Sequence, residues 1–167
     1  MFRSEKNDDA VYFALAEIAK EENKIGEALN FYQNAFGIDT SNVIYLQELA
    51  FMQAEKTNFE EAEVLFRKLC KKEPRNLDFI YGYSKVLIYN KQYEQAIKQL
   101  TKLQDQAGTV PELMMMKADL YMELKNHQKA EEALLQLKDE FPSNQEVLDK
   151  IVAFYKQQGE EGKAKKY

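Results

Sequence analysis

The sequence predicts an all-α fold of antiparallel helix pairs that recur every 34 residues, an α-solenoid. Three observations carry this. Gly and Pro number six and three in 167 residues, too few for a sheet-rich chain with many tight turns. The apolar share of 45% beside a charged share of 31% is the balance of a chain with a real core and a solvated face. Finally, Ala28, Ala62, Ala96 and Ala130 are each 34 residues apart, and Ala164 lies one step further on.

The flanking columns keep the same register. Twelve residues before each alanine stand Ala16, Ala50, Ser84, Ala118 and Val152, four of them small. Thirteen before stand Leu15, Leu49, Tyr83, Lys117 and Ile151, with Lys117 as the exception. Sixteen before stand Tyr12, Leu46, Ile80, Met114 and Leu148. Four after come Tyr32, Phe66, Leu100 and Leu134; seven after come Ala35, Leu69, Leu103 and Leu137. Offsets of three, four and seven lie on one stripe of a helix. Each period therefore holds two amphipathic helices, A and B.

The pattern places A helices near 9–22, 43–56, 77–90, 111–124 and 145–158, and B helices near 25–37, 59–72, 93–106 and 127–140. Short connections make A and B antiparallel neighbours. The small residue of A and the alanine of B mark their closest approach. Ile25, Phe59, Tyr93 and His127 close the A–B turns. Thr57-x-x-Glu60 and Ser143-x-x-Glu146 read as capping boxes, and Asn42 and Asn76 as N-caps. Pro111 suits a first helical turn; Thr40, Pro74, Gly108 and Pro142 suit the stops after B helices. No Pro- or Gly-rich linker interrupts the register. A tail over 1–8 and one array over 9–167 are expected, with repeats 9–42, 43–76, 77–110 and 111–144 and a partial fifth, 145–167.

Several function classes are disfavoured. A net charge of −5 argues against nucleic acid, whose phosphates need clustered Lys and Arg. No apolar run approaches the roughly 18 residues of a membrane span. The opening MFRSEKNDD lacks the apolar core of a signal peptide. A lone Cys70 permits no internal disulfide and tilts the expectation towards the cytoplasm, an extracytoplasmic site standing if a leader precedes this segment. No P-loop, G-x-G-x-x-G or G-x-S-x-G occurs, and no enzyme activity, metal or cofactor is expected. His127 and Cys70 could form a base and nucleophile, but each falls in the helical register, and a structural ring and a packed thiol are the simpler readings. Asp119 and Glu123, one turn apart, read as a solvated acidic face because no third ligand is in view.

A 34-residue helix–turn–helix with these columns resembles the tetratricopeptide repeat family, with four full repeats and a partial fifth over residues 9–164. The family's Trp early in helix A is replaced by Tyr12, Leu46, Ile80, Met114 and Leu148, and its Gly at the small position of A by Ala, Ser or Val. The resemblance implies a right-handed superhelix in which each pair buries its apolar face on its neighbours. Asp149, Lys150, Lys156 and Gln157 give the fifth A helix a polar side suited to a cap. Ala164, however, carries the register into GKAKKY, which points to a longer array with a frayed last turn.

The resemblance also implies that the A helices line a concave groove that binds a peptide or helix segment of a partner. Projected onto this sequence, the groove takes Phe13, Glu17, Ile44, Gln47, Phe51, Glu55, Asp78, Tyr81, Lys85, Ile88, Tyr89, Glu112, Met115, Asp119, Met122 and Glu123, with Ala10, Lys20, Glu21, Ala54, Glu146, Asp149, Ala153, Lys156 and Gln157 at the remaining positions. Phe13, Ile44, Phe51, Tyr81, Ile88, Tyr89, Met115 and Met122 are apolar groups beyond those in the core columns. Nine acidic residues against three basic ones give a balance of −6, which favours a partner both apolar and basic. The relatives that clamp acidic chaperone tails use Lys, Asn and Arg. The matching positions here hold Phe13, Glu17, Glu48, Asp78 and Gly82, so that ligand is not expected. The expected function is a protein-interaction scaffold. The alternative is an architectural piece of a longer repeat protein that self-associates through its array ends or fills its groove with its own chain.

Overall fold

The computed structural model of the protein describes residues 8–167. The expected tail lies outside them except for Asp8, which opens the first helix. Among the described residues there are ten helices and no strand. They are α1 (Asp8–Glu21), α2 (Ile25–Ile38), α3 (Val43–Glu55), α4 (Phe59–Lys72), α5 (Leu77–Tyr89), α6 (Tyr93–Ala107), α7 (Pro111–Glu123), α8 (His127–Glu140), α9 (Gln145–Gln157) and α10 (Glu161–Ala164). Odd-numbered helices are the A helices and even-numbered ones the B helices.

The helices gather into two compact units divided between Asn90 and Lys91. In the first, α1 packs on α2, α2 on α3, α3 on α4 and α4 on α5. In the second, α6 packs on α7, α7 on α8, α8 on α9 and α9 on α10.

The alanine column is the tightest point of both units: Ala28, Ala62, Ala96, Ala130 and Ala164 are all buried. Tyr32, Phe66, Leu100 and Leu134 are buried one turn on, as are Ala35, Leu69, Leu103 and Leu137 two turns on. Among the small residues of the A helices, Ala16, Ala50, Ser84 and Ala118 are buried, the Ser84 hydroxyl donating to the carbonyl of Tyr81 at 2.7 Å. Lys117 fills the column of Leu49, Tyr83 and Ile151 as a half-buried cation. Its Nζ donates to Gln104 Oε1 at 3.1 Å, and burial pushes its pKa below the usual lysine value.

The A–B corners repeat as strictly as the core. Asn23, Thr57, Lys91, Lys125 and Gly159 have φ of 59°, 61°, 58°, 56° and 75°, at 34-residue spacing. The next residue's N–H reaches back five positions, as from Lys24 to Ala19, Asn58 to Gln53, Asn126 to Tyr121 and Glu160 to Tyr155, at 2.8–2.9 Å. This is a Schellman closure, which satisfies carbonyls at the ends of α1, α3, α7 and α9.

Two expected capping boxes are displaced by this geometry. Thr57 is the left-handed corner residue rather than a cap, and Asn58 stands ahead of α4 without a side-chain cap. At α9 the cap is Asn144, not Ser143; its Oδ1 accepts from the N–H of Glu146 at 3.0 Å and of Val147 at 3.3 Å. Asn144 belongs to the column of Asn42 and Asn76, which cap α3 and α5 in the same way. Between them Val110 holds the position, and Pro111 at the start of α7 leaves one N–H fewer to satisfy. In place of a frayed end, α10 seats Ala164 in the core, and Tyr167 stacks on Tyr155 at 6.0 Å between ring centroids.

Candidate functional site

In the first unit, α3, α4 and α5 surround a cavity of about 520 Å3. Its walls are aromatic. Phe51 comes from α3, Phe59 and Phe66 from α4, and Tyr81 and Tyr89 from α5. Phe59 and Tyr89 stack face to face, with centroids 4.3 Å apart and planes 6° from parallel. Phe51 meets Phe66 edge-on at 5.1 Å, and Phe66 is the buried floor. The Phe66 ring packs directly on the backbone of α5 at Gly82: an added β-carbon there would lie 2.5 Å from Cε1 of Phe66.

Polar bonds hold the walls in place. Asn90 Nδ2 donates to the carbonyl of Phe59 at 3.2 Å and to Glu63 Oε2 at 2.9 Å, tying the end of α5 to the start of α4. Arg67 bridges the same Glu63 at 2.7 Å. Glu55 and Lys85 are the charged groups of the lining, and the Lys85 ammonium sits 5.7 Å from the Tyr81 ring centroid. The cavity is therefore apolar and locally neutral, a shape and chemistry that suit a bulky uncharged side chain.

Of the residues projected onto the groove, the cavity brings together Phe51, Ala54, Glu55, Tyr81, Lys85 and Tyr89. Gln47 and Asp78 share with Phe51 and Tyr81 a smaller hollow of about 180 Å3. Ile44 is exposed and Ile88 half-buried, away from both. Phe13 and Glu17 are spent on packing. The Phe13 ring lies 5.1 Å from Tyr45 and 5.8 Å from Tyr32, and the Tyr32 hydroxyl donates to Glu17. Burial and that carboxylate together hold the Tyr32 hydroxyl above the usual phenol range.

The second unit has its own hollow on α7 and α9, about 500 Å3, with Glu112, Asp119, Glu146 and Asp149 around Met115, Met116 and Ala153. Lys150 pairs with Asp119 at 2.6 Å, leaving the lining acidic. Met115 lines this hollow as projected, but it is shared with the core rather than spare. It is 8% exposed and clusters with Met114, Ala118 and Val147, because α9 closes over it. Met122 likewise packs partly buried against that cluster, and Glu123 is exposed beyond the hollow.

The projection missed Phe59, Phe66 and Gly82 because it considered only the outward face of the A helices. A signal was present. Residue 82 is a glycine inside a helix where the other repeats have Ala14, Glu48, Met116 and Lys150, and it faces Phe66, the one phenylalanine in a column otherwise of Tyr32, Leu100 and Leu134. His127 is exposed at the start of α8 and Cys70 half-buried on α4. Among the described residues no set of His, Cys, Asp and Glu is placed to hold a metal, and no helix is long and apolar enough to cross a membrane.

With this geometry in hand, likeness to known proteins is informative. The tetratricopeptide repeat profile matches residues 10–42, and that of "Anaphase-promoting complex, cyclosome, subunit 3" matches residues 55–137. The "BBSome complex member BBS4 homolog" of Drosophila melanogaster is 29% identical over 169 residues, covering 95% of this chain. The chain spans about a third, 35%, of that relative's length. The crystal structure of MamA superposes with a TM-score of 0.81 at 17% identity, over 97% of this chain and 88% of that one. YrrB, described as "a TPR protein with an unusual peptide-binding site", gives 0.73 at 19%, over 96% and 82%. These structural likenesses bear on the fold. The register, the helix pairs and the profile matches converge: the chain belongs to the tetratricopeptide repeat family of protein-interaction scaffolds.

Proposed function

We propose that the aromatic cavity of α3, α4 and α5 anchors one large apolar side chain of a partner's peptide or helix. The observation that carries this reading is the aromatic wall set: Phe51, Phe59, Tyr81 and Tyr89 line one apolar cavity over Phe66, which packs directly on the backbone of Gly82. A buried aromatic floor with aromatic walls is the setting in which a single anchor residue contributes most to binding. The partner's basic character belongs to the second unit, where the acidic hollow around Met116 suits a Lys or Arg. The chain supplies no catalytic step in this reading; it holds a partner. The peptide-binding description of YrrB, a protein of the same fold, supports it.

The test is selection of peptides on the intact protein, followed by affinity measurement on Phe51→Glu and Tyr81→Glu variants of unchanged helicity. Loss of binding in both is expected. If both variants bind every selected peptide like the parent protein, the cavity is not the anchor site.

A second reading rests on the Drosophila relative, which is named as a member of a complex and is about three times as long. Here the chain is one segment of an assembly subunit, and a neighbouring subunit or the same polypeptide fills the cavity.

A further inference from the structure

Lys117 puts a primary amine where the equivalent Leu49, Tyr83 and Ile151 are buried apolar side chains. The amine is bonded to a neutral group, Oε1 of Gln104 on α6, at 3.1 Å. Two other lysines of the same unit sit on carboxylates instead, Lys150 on Asp119 and Lys163 on Glu160, each at 2.6 Å. Asp105 on α6 acts on Lys117 through space, and burial outweighs it. A charge held partly inside the fold on a neutral partner costs free energy that a neutral group would not.

The amine also borders open space. Lys117 lines a hollow of about 210 Å3 on α7 and α8, with Met114, Tyr121 and Ala133 as its apolar walls. Its other charged groups, Lys129 and Glu132 on α8, are engaged elsewhere. The Lys129 ammonium lies 5.7 Å from the Tyr121 ring centroid, and Glu132 accepts from Gln128 at 3.0 Å. The hollow is roomy enough for a short acyl group.

We propose that Lys117 is a site of acylation, its ε-amine taking a short acyl group of the acetyl class from an acyl thioester. The neutral amine attacks the thioester carbonyl carbon. A C–N bond forms, the C–S bond breaks, and the proton that nitrogen loses goes to the departing thiolate. The product amide keeps one N–H for Gln104, sheds the charge, and lays its methyl group against the apolar walls. Burial favours the step, because it pushes the Lys117 pKa below the usual lysine value and raises the share of free amine at neutral pH. The consequence is opposite to that at Lys150, where acylation would break the pair with Asp119. At Lys117 it removes a cost. The site lies in the second unit and is independent of the aromatic cavity.

The test treats the full chain with S-acetyl-N-acetylcysteamine, a small thioester, and follows each lysine by mass spectrometry. Near neutral pH, Lys117 is expected to be labelled about fivefold faster than the exposed Lys98 and Lys125. The lead should shrink as pH approaches 10.5, where ordinary lysines also lose their protons. Protein acylated at Lys117 should have a higher urea midpoint than unmodified protein. Lys117→Gln, neutral like the amide, should reproduce that gain, and Lys117→Arg should not gain from the reagent. The rate comparison is made on the parent chain and does not depend on how either variant folds. Labelling of Lys117 no faster than that of Lys98 and Lys125, or a midpoint that fails to rise on its modification, would overturn the proposal.

Discussion

Gly82 and Phe66 are a matched pair: the ring occupies the volume that any side chain at residue 82 would need, its Cε1 lying 2.5 Å from the site of a β-carbon. Gly82→Ala forces the ring out of place, either into the cavity or against Phe51. Overpacking of this kind costs about 1–3 kcal/mol, and the gain in helix propensity offsets about 1 kcal/mol of it. The expected outcome is a lower urea midpoint and weaker binding of any peptide selected on the cavity. Adding Phe66→Leu should recover stability, and a double-mutant cycle measures that coupling.

Thr57 is a β-branched residue held at φ 61°, a conformation that glycine adopts freely. Replacing it by glycine removes a steric cost of about 1–2 kcal/mol and adds unfolded-state entropy that reclaims part of it. Thr57→Gly is expected to raise the thermal midpoint, whereas the same change at Gly37, inverted to Gly37→Thr in the last turn of α2, meets no positive φ and no crowding. Calorimetry of both variants checks the contrast.

Lys117 brings a cation into a column of apolar side chains. Lys117→Leu should stabilise the second unit by about 1 kcal/mol through the added apolar burial. The parent protein should also show a pH signature. Burial lowers the folded-state pKa, so the unfolded chain binds more protons in the window between the depressed value and the ordinary one of 10.5. Stability from this group therefore rises with pH through that window. Denaturant titrations across the alkaline range should find this slope in the parent protein and not in the Leu variant.

Glu131 on α8 accepts from the Tyr155 hydroxyl at 2.8 Å and from Lys163 at 3.3 Å. The tyrosine bond, aided by Lys163, holds its carboxyl below the usual range against the opposing effect of burial. Stability from a depressed carboxylate is present above its unfolded pKa and is lost as pH falls through the folded one. Acid should therefore loosen the α8–α9–α10 contacts. Tyr155→Phe should flatten that part of the acid titration, read by hydrogen exchange at Ala164.

The repeat itself was legible because its signals are local and periodic. Ala28 and its equivalents, Asn42, Asn76 and Pro111 all lie where the register places them. The caps at Thr57 and Ser143 were misread because the [ST]-x-x-E pattern matches a sequence but does not test φ, and a left-handed corner displaces the first of them. Met115 lines its hollow as projected, yet its burial in the core was not legible. Helical projection gives direction but not how far a neighbour reaches, and α9 reaches over it. Gly82 left one trace, a glycine where the other repeats carry a side chain, but its fit with Phe66 joins two residues 16 positions apart on different helices and depends on ring placement.

The corners at Asn23, Thr57, Lys91, Lys125 and Gly159 use four different amino acids to make one bend. The bend is fixed by main-chain bonding, so identity is free to drift there while length is not. Removing one residue from such a corner would take away the left-handed step and the five-back bond that closes it, so the two helices it joins could no longer meet at the same height. Each bend thus tolerates spelling changes, while a single skipped letter would disturb the pair of helices that it joins.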